Sequence, residues 1–472
     1  MSCSPQTSSE LFSTVVANGY CIGCGACAAL DPGIEMRFNR YGQYEANAKN
    51  NYSPTSLAKR VCPFADGNAK EDEIGNTLYG RDGKYDAHVG HYLACYAGWV
   101  AESDFRANGS SGGLASWLLT ELLERDLVDY VVHVASVAGS YGQPLFQFSI
   151  SSTQAEVRSK SKSRYYPVEM SGVIKQIIDR PGRYAVTGIP CFIKALRLAS
   201  GESVILKERI VFAVGIVCGH LKSSAFAEMF AWQCGVAPTE LTSIDFRTKL
   251  PNRAAFSYGV TVGGICEGRE LSVTKPTSEL LGSNWGHGLF KYKACDFCDD
   301  VVGETADISL GDAWLPEYVA DSAGTNVVVV RSPILMSILV DAVGAGRLHL
   351  DSIPVEKVVE SQAGGFRHRR DGLSYRLFLE NLAGRWHPSK RTLPSASHLS
   401  AKLKKIYELR YDLGQSSHEA FAGAKAGQNF DIFLQFMNPL MARYDRYFRR
   451  PLIVRVLGKI KRALAGYFPS KP

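Results

Sequence analysis

No stretch of the chain reaches the roughly 18 consecutive apolar residues that a membrane-spanning helix needs. Its first residues, MSCSPQTSSELFS, also lack the basic start and apolar core of an export signal. Membrane spanning and secretion are therefore not expected, and a cytoplasmic location is. An excess of positive charge is missing too, until the end: from Arg385 onward 17 Lys and Arg stand against 5 Asp and Glu, while the residues before it are net acidic within a chain of formal charge +7. Basic residues interleaved with aromatics, the platform on which single-stranded nucleic acid stacks, are absent, so nucleic acid is not expected as a partner.

What the sequence does have is cysteine. Twelve cysteines in 472 residues, in a chain that reads as cytosolic, point away from disulfides and toward metal or cluster ligation. CIGCGAC, residues 21 to 27, spaces three of them by two residues each. A bacterial ferredoxin run would place its next cysteine, followed by Pro, where this chain has Asp31-Pro32, so a second ferredoxin-type cluster is not supplied there. Cys62-Pro63 completes the first set, and one 4Fe-4S cluster on Cys21, Cys24, Cys27 and Cys62 is expected. Gly19, Gly23 and Gly25 suit a loop whose backbone N–H groups approach cluster sulfurs. A zinc site is the alternative, with an unusual sharing of the middle cysteine.

Beyond residue 90 short apolar runs alternate with amphipathic stretches, which reads as α/β. YAGWVA (96–101) is expected as a strand, NGSSGG (108–113) as a tight loop, LASWLLTELLER (114–125) as a helix and VDYVVHVASVA as a second strand. A Gly/Ser loop opening a helix offers free N–H groups to an anion, although many such turns bind nothing. Cys191 (TGIPCFIKAL) and Cys218 (VGIVCGH) stand where strands end, and Cys295 and Cys298 form a Cys-x2-Cys in KYKACDFCDD. A second four-thiolate site on these residues competes with a small zinc site or unrelated structural cysteines. Cys95, Cys234 and Cys266 lie in apolar or strand-like surroundings, where buried free thiols are common.

In the order CIGCGAC, a later CP, SSGG, SRYY, TGIPCFIKAL, VCGH, FRTK, KYKACDFCDD, ADISLGDAW and GTNVVVV, from about residue 12 to about residue 335, the sequence resembles the coenzyme F-420 hydrogenase/dehydrogenase beta-subunit family. That family includes ferredoxin-dependent chlorophyll-ring reductases. The resemblance implies an α/β core that binds FAD and a 4Fe-4S cluster, preceded by a small ferredoxin-like iron–sulfur module. It implies a core cluster on Cys191, Cys218, Cys295 and Cys298. It also implies FAD held against Ser110, Ser111, Gly112 and Gly113, with Ser163, Arg164 and Asp312 nearby. Arg164 stands where the family commonly has Lys, Phe192 where it has Gln, and Cys218-Gly219-His220 where it has Cys-His-Gly, so use of coenzyme F-420 does not follow from the resemblance.

The expected organisation is a ferredoxin-like module over 1–88, the core in two parts over 89–170 and 171–366, and a basic, mainly helical region over 367–472. In that region HPSKRTLPSASH (387–398) joins helical segments. Leu452, Val456, Ile460 and Leu464 recur every four residues near the end, with Arg455, Lys459, Lys461 and Arg462 on other faces. Such a helix suits an anionic membrane surface on the inner face of the membrane, or a partner protein, or its own domain. His220 is a weak candidate as a proton donor, equally well explained as a hydrogen-bonded turn residue. The charge pairs EGRE (267–270) and DD (299–300) read as solvated loops.

The expected function is an iron–sulfur flavoprotein oxidoreductase that takes single electrons from ferredoxin or a similar donor and reduces an organic small molecule by two. The alternative is a coenzyme F-420-linked electron-transfer subunit serving a partner oxidoreductase. A zinc protein with a nucleic-acid-binding tail is the third class, disfavoured by the missing aromatic platform.

Overall fold

A computed structural model describes residues 10–50, 55–81, 83–137 and 143–448. Four strands, Tyr130–Ser136, Tyr184–Gly188, Ile210–Ile216 and Ile308–Asp312, run parallel to one another inside an eight-stranded sheet. On one side Asn326–Val330, Ala94–Val100 and Leu348–Ser352 extend it in antiparallel pairings; on the other Phe146–Ser151 closes it. NVVVV is buried at all five positions, as in a strand covered on both faces. The strands expected at 96–101 and in VDYVVHVASVA, and the helix expected at 114–125, are present as Ala94–Val100, Tyr130–Ser136 and Leu114–Glu124.

Each face of the sheet carries its own core. Val131, Ala185, Val214 and Val328 pack against Leu118 of helix Leu114–Glu124 and Leu339 of helix Pro333–Gly344. Their sequence neighbours Val132, Tyr184 and Val186 face the other way, toward Ile174, Phe192 and Leu196 on helices Ser171–Asp179 and Pro190–Glu202. This is the strand alternation that puts consecutive side chains on opposite faces. Cys24, Ala28 and Phe64 join that second core, so the cysteine-rich N-terminal segment docks on the sheet instead of standing apart from it.

The segment after Arg367 is helical, as expected, over Asp371–Leu382, Ala401–Ala426 and Phe430–Asp445. It is also tightly packed. Phe421, Phe433 and Met437 share a core with Phe226, Phe290 and Val262, and Leu373 and Leu377 reach the core that holds the cysteines. The amphipathic helix expected at 449–468 lies outside the described residues, and among those described no helix is long and apolar enough to cross a membrane.

One expectation is corrected here. EGRE is exposed at 267–270, but Asp299 and Asp300 are each 1% exposed, not solvated. Asp300 accepts from the backbone N–H of Gly303 (2.8 Å) and Glu304 (2.9 Å). Asp299 meets Arg391 Nε at 3.4 Å. That partner stands 92 residues further along, too far for local pattern to show.

Candidate functional site

Cys21 and Cys24 precede helix Ala26–Leu30, Cys27 is its second residue, and Cys62 follows helix Ser56–Arg60. Gly23 and Gly25 adopt φ of 68° and 81°. A Cβ on Gly23 would come within 2.6 Å of the Tyr44 carbonyl oxygen, so only glycine lets this loop close down on its hairpin. Burial, then repulsion from Cys24, Cys21 and Cys62, raises the Cys27 thiol well above its ordinary value. Cys62 is pushed up to about 12, chiefly by burial. Cys24 and Cys27 are buried, and Cys21 and Cys62 half-buried. Asp31, in the place of the missing cysteine, accepts from Gly33 N (3.0 Å), Thr55 N (2.7 Å) and Thr55 Oγ1 (2.9 Å). It braces the loop.

The second set assembles from three places in the chain. Cys191 is the second residue of helix Pro190–Glu202, and Cys218 lies just past strand Ile210–Ile216. Cys295 sits on the single turn Lys293–Phe297, and Cys298 follows it. All four line one small cavity, together with Ile22 and Phe64 from the N-terminal segment. The Leu221 N–H donates to Cys295 Sγ at 3.2 Å. Burial and then the other three cysteines raise the Cys191 thiol, with Cys24 of the first set acting on it as well, so the two sets adjoin. Among the described residues no group of three or more His, Cys, Asp or Glu side chains is placed to hold a single metal ion.

Cys218 also borders a second, larger cavity of about 290 Å³ at the carboxyl ends of the parallel strands, the edge where open α/β sheets build their sites. Ser110, Ser111, Gly113, Ser163, Arg164 and Asp312 all line it; Gly112 does not. Gly112 is pressed behind the loop, where a Cβ would meet Asn326 Oδ1 and the Gly98 carbonyl oxygen at 2.7 Å. Ser110 Oγ accepts from Ser163 N at 2.7 Å, which ties two of the expected segments together. The Arg164 guanidinium stands over Phe146 at 4.9 Å, gives one N–H to the Ser161 carbonyl, and keeps Nε buried without a partner. His220 is buried in the same cavity against Trp285, ring centroids 4.6 Å apart, with Nε2 unpartnered.

Asp312 lines the cavity but is not free. Arg247 grips its carboxylate through Nη1 (3.0 Å) and Nη2 (3.1 Å), and reaches the Ser110 carbonyl at 3.2 Å. Lys249 donates to the carbonyls of Ser111 (3.1 Å), Ala323 (2.6 Å) and Arg106. FRTK is therefore the clamp that holds the SSGG loop in place, a role that motif order alone did not reveal. Lys222, also missed, is buried beside the cavity with Nζ 4.4 Å from the Phe226 ring centroid.

Only glycine fits at position 113, where φ is +85° and an added Cβ would lie 2.6 Å from the Phe105 carbonyl carbon. Gly113→Ala should cost about 1–3 kcal/mol of unfolding free energy, measured by urea unfolding. An unchanged midpoint would show that the loop relaxes freely.

No curated protein matches the chain. Among solved structures, a chain of the F-420-reducing nickel–iron hydrogenase complex from Methanosarcina barkeri is similar at 17% identity, with a TM-score of 0.46, over 62% of this chain and 96% of that one. The models of the coenzyme F-420 hydrogenase/dehydrogenase beta subunit match at residues 95–175 for its N-terminal part and 182–356 for its C-terminal part. These two matches together span more than half of the sequence, in the family's own order: the chain belongs to the coenzyme F-420 hydrogenase/dehydrogenase beta-subunit family, a family of redox subunits.

Proposed function

We propose that the protein is an iron–sulfur flavoprotein oxidoreductase in which two 4Fe-4S clusters and FAD link ferredoxin, or a similar one-electron donor, to two-electron reduction of an organic substrate. The observation that carries this reading is that Cys218 borders both the four-cysteine cavity and the larger one. The donor type suits the group: four thiols line the small cavity, and a cubane takes one thiolate on each of its irons. When bound, the clusters would supply single electrons, and a flavin would convert them to pairs.

The chain's own part is placement and charge. Arg164 would meet a pyrophosphate with a charge that burial cannot remove. Arg247 and Lys249 would fix the loop that faces it, and Phe148 and Phe192 line an apolar wall that excludes water. The N-terminal module, with Cys21 and Cys62 only half-buried, would be the entry point.

A second reading is favoured by the family match itself: an electron-transfer subunit linked to coenzyme F-420 and serving a partner oxidoreductase. Both readings are tested by mixing the protein with reduced low-potential ferredoxin and following flavin absorbance. In Cys24→Ala that reduction should slow sharply, while direct chemical reduction persists. Rapid bleaching of added coenzyme F-420 by the reduced protein would select the second reading. Wild-type protein without flavin, or with flavin reduced equally fast in Cys24→Ala, would overturn the path.

A further inference from the structure

Arg369 ends helix Ala363–Arg369, beyond the residues that the family's models match. It is 2% exposed and lines the small cavity with Cys191, Cys218, Cys295 and Cys298. Nη2 donates to the Gly219 carbonyl at 2.8 Å, which fixes the guanidinium plane; Nε and Nη1 are buried with no hydrogen-bond partner. Unsatisfied N–H groups on a buried cation are costly, so a chain that keeps them there leaves them for something absent from the protein alone.

The nearby acids are engaged elsewhere. Asp296 is taken by Lys291 Nζ (2.5 Å), with His368 Nε2 (3.3 Å) and Arg376 Nε (3.7 Å) beside it. Asp299 faces Arg391, and Asp300 is spent on backbone N–H groups. Burial works against the guanidinium's charge, and the groups that favour it are the thiols of Cys298, Cys218 and Cys295, with Cys298 within hydrogen-bonding reach.

We infer that Arg369 is a positioning residue for the second cluster: its free Nε and Nη1 donate to the cluster's sulfurs, and its fixed charge raises the reduction potential of that cluster relative to the first. The inference rests on the cluster reading above. Reduction adds one electron, from a low-potential one-electron donor, and so one negative charge to the iron–sulfur group. A buried cation in contact favours the more negative state, and hydrogen bonds to the sulfurs act in the same direction. Electrons would thereby be drawn from the outer quartet toward the cavity. Lys390, which like Arg369 acts by charge on Cys298, comes from the same C-terminal region, so that region supplies the positive environment of a site whose ligands lie in the core.

The test is a spectroscopic redox titration of anaerobically prepared full-length protein, with iron and sulfide determined on each sample. Two reduction waves are expected, and the wave that persists in Cys24→Ala belongs to the second cluster. In R369M that wave should move at least tenfold against reduction, about 59 mV lower for one electron, with the first wave in place and iron retained. R369Q, which keeps an N–H but no charge, should also move it down, and R369K should move it least. An unmoved second wave in R369M, or in R369Q where R369M fails to load, overturns the inference, as does loss of iron from all three variants, which would mark a purely structural role. Zinc in place of iron and sulfide in the wild type would instead defeat the cluster reading itself.

Discussion

Anaerobically prepared protein carrying Cys295→Ala is expected to hold about four iron atoms where the wild type holds about eight. Cys295 is 6% exposed, and its sulfur is the acceptor for the Leu221 N–H. Alanine removes one ligand and orphans that donor, with no other cysteine, histidine or carboxylate in the cavity lining to take the place except Asp300, whose oxygens already accept two N–H groups. Cys24→Ala should remove the other four irons and leave the second cluster. The functional consequences differ as well. On the proposed path, loss of the second cluster would cut the larger cavity off from the donor, since Cys218 lines both cavities; one-electron reduction of a flavin there should be lost, while a chemical reductant that enters the cavity directly still works. A chelator should strip the first cluster before the second, because Cys21 and Cys62 are half-buried while Cys295 and Cys298 are buried. Stoichiometric zinc without sulfide, or a Cys295→Ala protein with full iron content, would remove the basis for both cluster assignments.

The parts of this site that the sequence reveals are those in which one short segment does the whole job. CIGCGAC with its two left-handed glycines, and SSGG at the start of a helix, each announce a loop that the structure contains, and Cys191, Cys218, Cys295 and Cys298 line one small cavity. The α/β character of the core was legible for a similar reason, since short apolar runs alternate with helical stretches beyond residue 90. What stayed hidden is whatever depends on partners far apart. Asp312 was expected beside a cofactor, and it does line the cavity, but nothing local says that Arg247 occupies its carboxylate. Gly112 looks like Gly113 in the sequence; packing against Gly98 and Asn326 turns it away. Asp299 and Asp300 look like a solvated pair because charged neighbours usually are, and their burial depends on Arg391 and on a backbone turn that has no motif. Arg369, one of several basic residues in FRHRR, carries no signal at all.

The largest expected loss of stability follows from the same hidden partners. Arg391, in the Pro/Ser stretch between two helices, is forked onto Glu304 through Nη1 (2.7 Å) and Nη2 (2.8 Å), with Nε 3.4 Å from Asp299 and 3.9 Å from Glu71. Those three acids are between 1% and 5% exposed, and they come from the N-terminal module and the core, so a single guanidinium ties three parts of the chain. Arg370 and Lys194 help, at 3.4 Å from Glu304 and 3.1 Å from Glu71, but neither makes a fork. Arg391→Ala should therefore lower the unfolding free energy by about 3–5 kcal/mol, the cost of leaving buried carboxylates uncompensated. The loss should depend on pH in a defined direction. Burial already pushes Glu304 up to about 7 while Arg391 pulls it down; without Arg391 it rises further. A carboxyl that holds its proton more tightly in the folded chain than in the unfolded one loses folded-state stability as pH rises from its ordinary value through the raised one. Urea unfolding of Arg391→Ala should thus show a larger deficit at pH 8 than at pH 5, and Glu304→Gln in the same background should recover part of it at pH 8. A deficit below about 1 kcal/mol, within the range of an exposed pair, would mean that water reaches these carboxylates and that the stretch from 387 to 398 is not what fastens the C-terminal helices over the core.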